Sequence, residues 1–166
     1  MAFCSLVNRY IHLVHGVALR QAPDPQLADD VTQVVFILLA RKAATLSTRV
    51  ILSGWLYQTA RFVAKRAARS ELRRRRYEQE AFQMREISSP EETWGRLAPL
   101  LDEAMDKLGS TDRNAILMRF FEEKPLREVG RNLGLSEDAA RKRIDRSMEK
   151  LRAFFVRRGF ACRHKS

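Results

Sequence analysis

Apolar residues recur at three- and four-residue steps along almost the whole chain, and no stretch alternates in the manner of a strand. Phe3, Leu6, Val7, Tyr10, Ile11, Val14, Val17 and Ala18 form one stripe, so an amphipathic helix is expected there. Gln21-Ala22-Pro23-Asp24-Pro25 interrupts it. Asp24 ahead of Pro25 has the chemistry of an N-cap followed by a first-turn proline, whose missing N–H costs nothing there. A second helix is expected to turn Leu27, Val31, Val34, Val35, Leu38 and Leu39 inward, with Asp29 and Asp30 near its positive end. Ser47 to Leu52 reads as a loop. Ser53 reads as the cap of a third helix packed through Trp55, Leu56, Ala60, Val63, Ala64 and Ala67.

The pattern then lapses. Glu78 to Glu92 is polar and mildly acidic, a linker that ends in Ser89-Pro90-Glu91-Glu92, the spacing of a capping box. Trp94, Leu97, Ala98, Leu101, Ala104, Met105 and Leu108 make the next stripe, with Gly109 placed to close that helix. A short helix around Ala115, Ile116, Leu117 and Phe120 leads to Pro125. The expected fold is all-α, with two small helical domains (residues 1–77 and 93–166) joined by a polar linker over 78–92.

Pro125 to Arg152 carries the most specific pattern. Leu126, Val129 and Leu133 give a short helix its inner face, and Gly130 is small where two helices must cross closely. Gly134 suits the positive-φ corner of a tight turn, with Leu135 plugging it. Ser136 caps a second helix whose inner face is Ala140, Ile144, Met148 and Leu151. This is a helix-turn-helix, whose second helix can lie in a major groove. Arg141, Lys142, Arg143 and Arg146 fall on its outward positions, suited to phosphates and to guanine edges. Glu137 and Asp138 suit the helix dipole, and either could accept from cytosine.

Charge narrows the partner. Lys and Arg number 31 against 20 Asp and Glu, a formal charge of +11, while 45% hydrophobic residues leave enough apolar chain for a core. Such a surplus calls for a polyanion, nucleic acid or an anionic membrane surface. No run is long enough to span a membrane, and Met1 to Tyr10 lacks the basic-then-apolar order of an export signal, so a cytoplasmic protein is expected. Cys4 and Cys162, with no CxxC, read as two free thiols. The third helix concentrates the charge: Arg61, Lys65, Arg66, Arg69, Arg73, Arg74, Arg75 and Arg76, interrupted only by Glu71. Trp55 reads as core, whereas Tyr57 and Phe62 stand between core and a nucleic-acid face, where rings stack bases and arginines track phosphates.

Catalysis is not expected. His12 and His15 share a helix face without a carboxylate or cysteine at ligand spacing, and Asp102, Glu103 and Asp106 have Lys107 and solvent for partners. No phosphate-cradling loop or nucleophile–base pattern is visible, and no cofactor or metal is expected.

The order of parts resembles an extracytoplasmic-function sigma factor of the sigma-70 family. The resemblance rests on Asp29-Asp30-Val31-Thr32-Gln33-Val34-Val35-Phe36, on Ser53-Gly54-Trp55-Leu56-Tyr57-Gln58-Thr59-Ala60-Arg61, on the arginine-rich helix and on Leu126–Arg152. It covers roughly Phe3 to Gly159. It implies that the first domain resembles sigma region two, which docks on the β′ clamp helices of core RNA polymerase and opens the −10 element. The second would resemble region four, which reads promoter DNA at −35 and touches the β flap. A cognate anti-sigma factor is a common regulator in that family. By position, Asp30 and Gln33 match the clamp-binding motif, and Leu46 to Leu52 the loop that captures a base. Ser136, Glu137, Arg141, Arg143 and Arg146 match the DNA-facing part of the recognition helix. Val34 departs from a common glutamate, and Phe62 and Arg66 from a common asparagine and aspartate. Relatives usually carry more residues ahead of the first helix, which here starts at Met1. A stand-alone helix-turn-helix regulator would explain only the second half of the chain. A basic RNA-binding or toxin-like protein would explain only the charge.

Overall fold

The computed structural model describes residues 2–22, 24–78 and 91–160, with backbone alone at 2, 75–78 and 91–96. Among them are seven α-helices and one π-helical turn, and no strand, as the periodicity predicts. The chain divides into two compact units between Leu97 and Ala98.

The first unit is built on α1 (Ala2–Gln21), α2 (Pro25–Lys42) and α3 (Leu52–Glu78), each packed on the other two. Asp24 starts α2 by accepting the Leu27 N–H at 2.8 Å, with Pro25 in the first turn. A side-chain cap of this kind contributes about 1 kcal/mol. Val14, Val17 and Ala18 of α1, Val31 and Val35 of α2, and Leu56, Ala60 and Ala64 of α3 are all buried in the core. Leu13 is also buried, while Ile11 of the expected stripe stays exposed.

Two expectations fail here. Val34 does not face inward: it is 42% exposed, and Ala28, Thr32 and Phe36 complete the inner face. Thr32 can enter the core because its hydroxyl donates to the Ala28 carbonyl at 2.8 Å, which leaves a methyl group to pack. Ser53 does not cap α3. The helix starts at Leu52, its first bond runs from the Trp55 N–H to the Ile51 carbonyl at 3.0 Å, and Ser53 is fully buried within that turn.

In the chain beyond, α4 (Glu91–Asp106) carries Pro99 inside it, which removes one i→i−4 bond. Ser89 and Pro90 of the expected capping box, the Trp94 side chain and Cys162 lie outside what is described. The end of α4 is closed differently from the expectation. Gly109 has φ −61° and ψ 159° and serves as N-cap of α5 (Ser110–Ile116). Buried Arg113 takes the carbonyls instead, donating to Met105 at 3.0 Å and Leu108 at 2.8 Å. Asp102, expected in solvent, is fully buried, and Glu103 pairs with Arg158.

The π-helical turn Leu117–Phe121 follows, closed by the Glu122 N–H on the Leu117 carbonyl at 3.0 Å. One extra residue per turn shifts the register, so Leu117 and Met118 point in while Phe120 is 56% exposed. Then come α6 (Leu126–Leu133) and α7 (Glu137–Arg157), packed on each other. Gly134 sits at φ 68° and ψ 32°, the left-handed corner that the sequence requires of it. A Cβ on Gly130 would meet the Leu135 carbonyl oxygen at 2.8 Å, so the crossing admits only glycine. Ser136 caps α7 by accepting the Ala139 N–H at 3.2 Å. Val129, Ala140, Ile144 and Leu151 fill the inner face. Met148, expected beside them, is 40% exposed. Ser147 is buried in its stead, its hydroxyl donating to the Arg143 carbonyl at 2.8 Å.

Candidate nucleic-acid interface

On α7, Glu137, Arg141, Lys142 and Arg146 are exposed, as is Ser136 at its cap. Arg141 lies 3.9 Å from Glu137 one turn earlier, and Arg146 donates to the Lys142 carbonyl at 3.2 Å. These are weak tethers, and the guanidiniums remain available at the surface. Arg143 departs from its expected place. Half-buried, it donates to Asp112 of α5 at 2.6 Å, and Lys150 reaches the other carboxylate oxygen at 3.0 Å. Burial pushes the Asp112 carboxyl up. The hydrogen bonds and charges of Lys150 and Arg143 outweigh that and hold it below its ordinary value. Arg143 therefore clamps α5 to α7 and sets the pose of the recognition helix.

On α3, Arg61 also departs from the expected row. It is 4% exposed, with its guanidinium 5.9 Å from the ring centroid of buried Tyr57. It belongs to the packed side of the helix. Lys65, Arg66, Arg69 and Arg73 are exposed, and with Phe62 and Ser70 they line one side of a recess. Their spacings from Phe62, three, four, seven and eleven, keep them on one side of the helix. Arg74 pairs with Glu71 at 3.0 Å, and the side chains of Arg75 and Arg76 lie outside what is described.

A second recess lies in the same unit. The Leu46–Leu52 loop, with Phe3 and Leu6 of α1 and Leu39 of α2, encloses a mainly apolar pocket of about 240 Å³. The α1 and α2 contributions escape sequence reading, because Phe3 and Leu6 count there simply as core stripe. On the outer side of α2, Asp30 and Gln33 are exposed together with Val34 and Ile37, at steps that place all four on one face. Nearby, the His15 ring and Asp29 are 3.0 Å apart, a partner for His15 that sequence spacing did not show.

Residues 6–76 match the family model for Sigma-70 region 2, and residues 104–153 match that for Sigma-70, region 4. The two matches fall in the order expected and take in both basic faces. The chain belongs to the sigma-70 family. It is an RNA polymerase sigma factor. It is 29% identical over 157 residues to the RNA polymerase sigma factor CarQ of Myxococcus xanthus, covering 91% of this chain and 87% of that one. Among solved structures it is similar to the sigma factor RpoE of Bartonella quintana, crystallised with the anti-sigma factor NepR. That likeness has 15% identity and a TM-score of 0.44, over 93% of this chain and 97% of the other. In this sigma factor the region 2 match takes in Asp30, Gln33 and the Phe62–Arg73 face, and the region 4 match takes in Asp112 and the outward side of α7. Among the described residues no three His, Cys, Asp or Glu side chains are grouped to hold a metal ion. Among those residues no helix is long and apolar enough to cross a membrane either.

Proposed function

We propose a division of labour between the two units of this sigma factor. Residues 1–77 dock on the β′ clamp helices through Asp30 and Gln33 and hold the opened −10 strand along Lys65, Arg66, Arg69 and Arg73. The pocket behind Leu46–Leu52 accepts one base turned out of the stack. Residues 78–92 act as a linker. Residues 93–166 touch the β flap and read the −35 duplex through Glu137, Arg141, Lys142 and Arg146, with Ser136 on the backbone. The protein acts in the cytoplasm by binding, without catalysis of its own.

One observation carries this reading: each unit presents an exposed cationic helix face, and each face falls within the match to its own sigma region. A stand-alone operator-binding regulator has no use for the first of them. Transcription in vitro with core polymerase over a genomic fragment library tests the proposal. Initiation at discrete sites, dependent on the added factor and lost with Asp30→Ala plus Gln33→Ala, is the expected result. Tight operator binding without core polymerase, and no initiation with it, would overturn it.

A further inference from the structure

We propose that Asp145 is a specificity-determining residue for the upstream promoter element: its carboxylate accepts the N4 amino group of one cytosine in the major groove and disfavours other bases there. The proposal rests on the reading of α7 as the helix that enters the −35 duplex. α7 packs inward through Ala140, Ile144, Ser147 and Leu151. Asp145 is exposed, and so are Arg141 and Lys142, four and three residues before it. Those steps make them neighbours on the helix surface. Two cations are therefore within reach of this carboxylate, yet neither takes it. Arg141 lies toward Glu137 at 3.9 Å, and among the described residues no hydrogen bond or ion pair engages Asp145. The other acidic positions of α7 have different settings. Glu137 and Asp138 stand in the first turn, where the helix dipole favours a carboxylate. Glu149 lies a turn further from the N-terminal end, the part of a recognition helix that reaches base edges. Asp145 puts a negative charge among the very side chains assigned to DNA.

Beside a polyanion that charge is unfavourable, and it serves binding only where the duplex offers it a donor. The major groove presents two such donors, the N6 amino group of adenine and the N4 amino group of cytosine. Adenine carries the N7 acceptor next to its amino group, so one carboxylate oxygen is repelled while the other is bound. Cytosine has no acceptor beside its amino group in the groove. Its paired guanine offers O6 and N7, acceptors suited to Arg141 or Lys142 one turn back. A single C·G pair thus satisfies the carboxylate and a cation together. Guanine or thymine in place of the cytosine leaves the carboxylate against the groove with no donor, which is a penalty and not merely a missed gain. Asp145 contributes discrimination more than affinity.

The test uses the full chain with core RNA polymerase and a promoter selected from a genomic library by the wild-type complex. Each base pair of the upstream element is replaced by the other three, and competitive binding is measured for wild type, Asp145→Ala and Asp145→Asn. Wild type is expected to prefer cytosine at one position by roughly tenfold to a hundredfold. With Asp145→Ala that preference should flatten there and nowhere else, the non-cytosine duplexes binding as well as before or better. Asp145→Asn should transfer the preference to adenine, whose N6 and N7 suit an amide. Pyrimidin-2-one, which is cytosine without its amino group, should weaken wild-type binding as a wrong base does and Asp145→Ala binding much less. Unchanged preferences at every position in Asp145→Ala overturn the proposal. So does a uniform gain or loss across all sequences, which makes the carboxylate a general electrostatic or structural element. Failure of the parent reading has its own signature: Arg141→Ala plus Arg146→Ala then leaves promoter binding at the wild-type level. If Asp145 alone is wrongly assigned, the loss in that double variant persists.

Discussion

α3 and α7 are both long, basic and exposed on one side, yet they are built on opposite lines. α3 carries eight cations against two carboxylates, and its exposed residues from Phe62 to Arg73 include one aromatic ring. α7 carries seven cations against four carboxylates. It is fixed at its start by Ser136, behind by the Gly130 crossing, and along its length by Asp112 bridging Arg143 and Lys150. A duplex is a rigid ligand whose edges must be met in register, so the helix that reads it is held in place by its neighbours. A strand that has left its duplex is flexible and is met by charge and a stacking surface, neither of which requires fixed register. On the roles proposed for the two faces, positive charge alone does not define a DNA-reading helix; its anchoring does.

The largest effect should come from breaking the anchoring of α7. Val at Gly134 faces φ 68°, and Val at Gly130 meets a backbone oxygen at 2.8 Å. Either substitution should cost about 2–3 kcal/mol, a large share of the marginal stability of a small unit. Thermal unfolding followed by circular dichroism should lose the transition of the second unit and keep that of the first. A single transition lost altogether would contradict two separately folded units. Next in size, Arg141→Ala and Arg146→Ala should each weaken promoter binding by about 1–3 kcal/mol for a base contact, less for a phosphate contact. Core-polymerase capture should stay at the wild-type level. Equal loss of capture in a pull-down would erase the distinction between the two faces.

The clamp predicts a smaller, pH-dependent effect. The folded-state pKa of Asp112 lies below its unfolded value, so its ion pairs stabilise the second unit above about pH 4. That contribution is lost as pH falls from there through the folded-state value. Asp112→Asn should destabilise the unit by about 1 kcal/mol at neutral pH, since Lys150 is largely exposed, and should flatten the acid limb of the denaturation curve. Identical acid limbs for variant and wild type would remove the clamp from the account. The smallest effect is at Glu123, a non-glycine residue at φ 54° ahead of α6. Glu123→Gly should stabilise the second unit by up to about 1 kcal/mol by relieving that conformation, read as a small rise in urea midpoint.

Much of this architecture is legible in the chain. Asp24 before Pro25, Gly134 at the corner and Ser136 ahead of the recognition helix act as their chemistry suggests, because caps and positive-φ corners are decided locally. What escapes is set by tertiary packing. Val34 and Met148 continue an apolar rhythm, yet the inner face goes to Thr32 and Ser147, whose hydroxyls are satisfied by a carbonyl one turn back. Periodicity counts both as polar and places them outside. Arg61, Arg113 and Arg143 look alike in sequence. One lies over a buried ring, one closes the end of α4, and one grips Asp112 across 31 residues. No local pattern separates an arginine that holds the protein from one that holds DNA. Phe62 shows the reverse case, an apolar residue that the fold leaves in the open.

The contrast between a positioned reader and an electrostatic strand holder is tested most directly by a crossed comparison on one promoter. Permanganate footprinting reports melted thymines, and gel shift across a salt series reports affinity of the closed complex, for Arg69→Gln plus Arg73→Gln and for Arg141→Ala plus Arg146→Ala. The α3 pair should slow melting more than it weakens closed binding, and should lower the log–log salt slope by roughly one unit per lost phosphate contact. The α7 pair should weaken closed binding and leave melting, once bound, near the wild-type rate. Melting and affinity unchanged in the α3 pair at every salt concentration, or the two pairs behaving alike, would contradict the account.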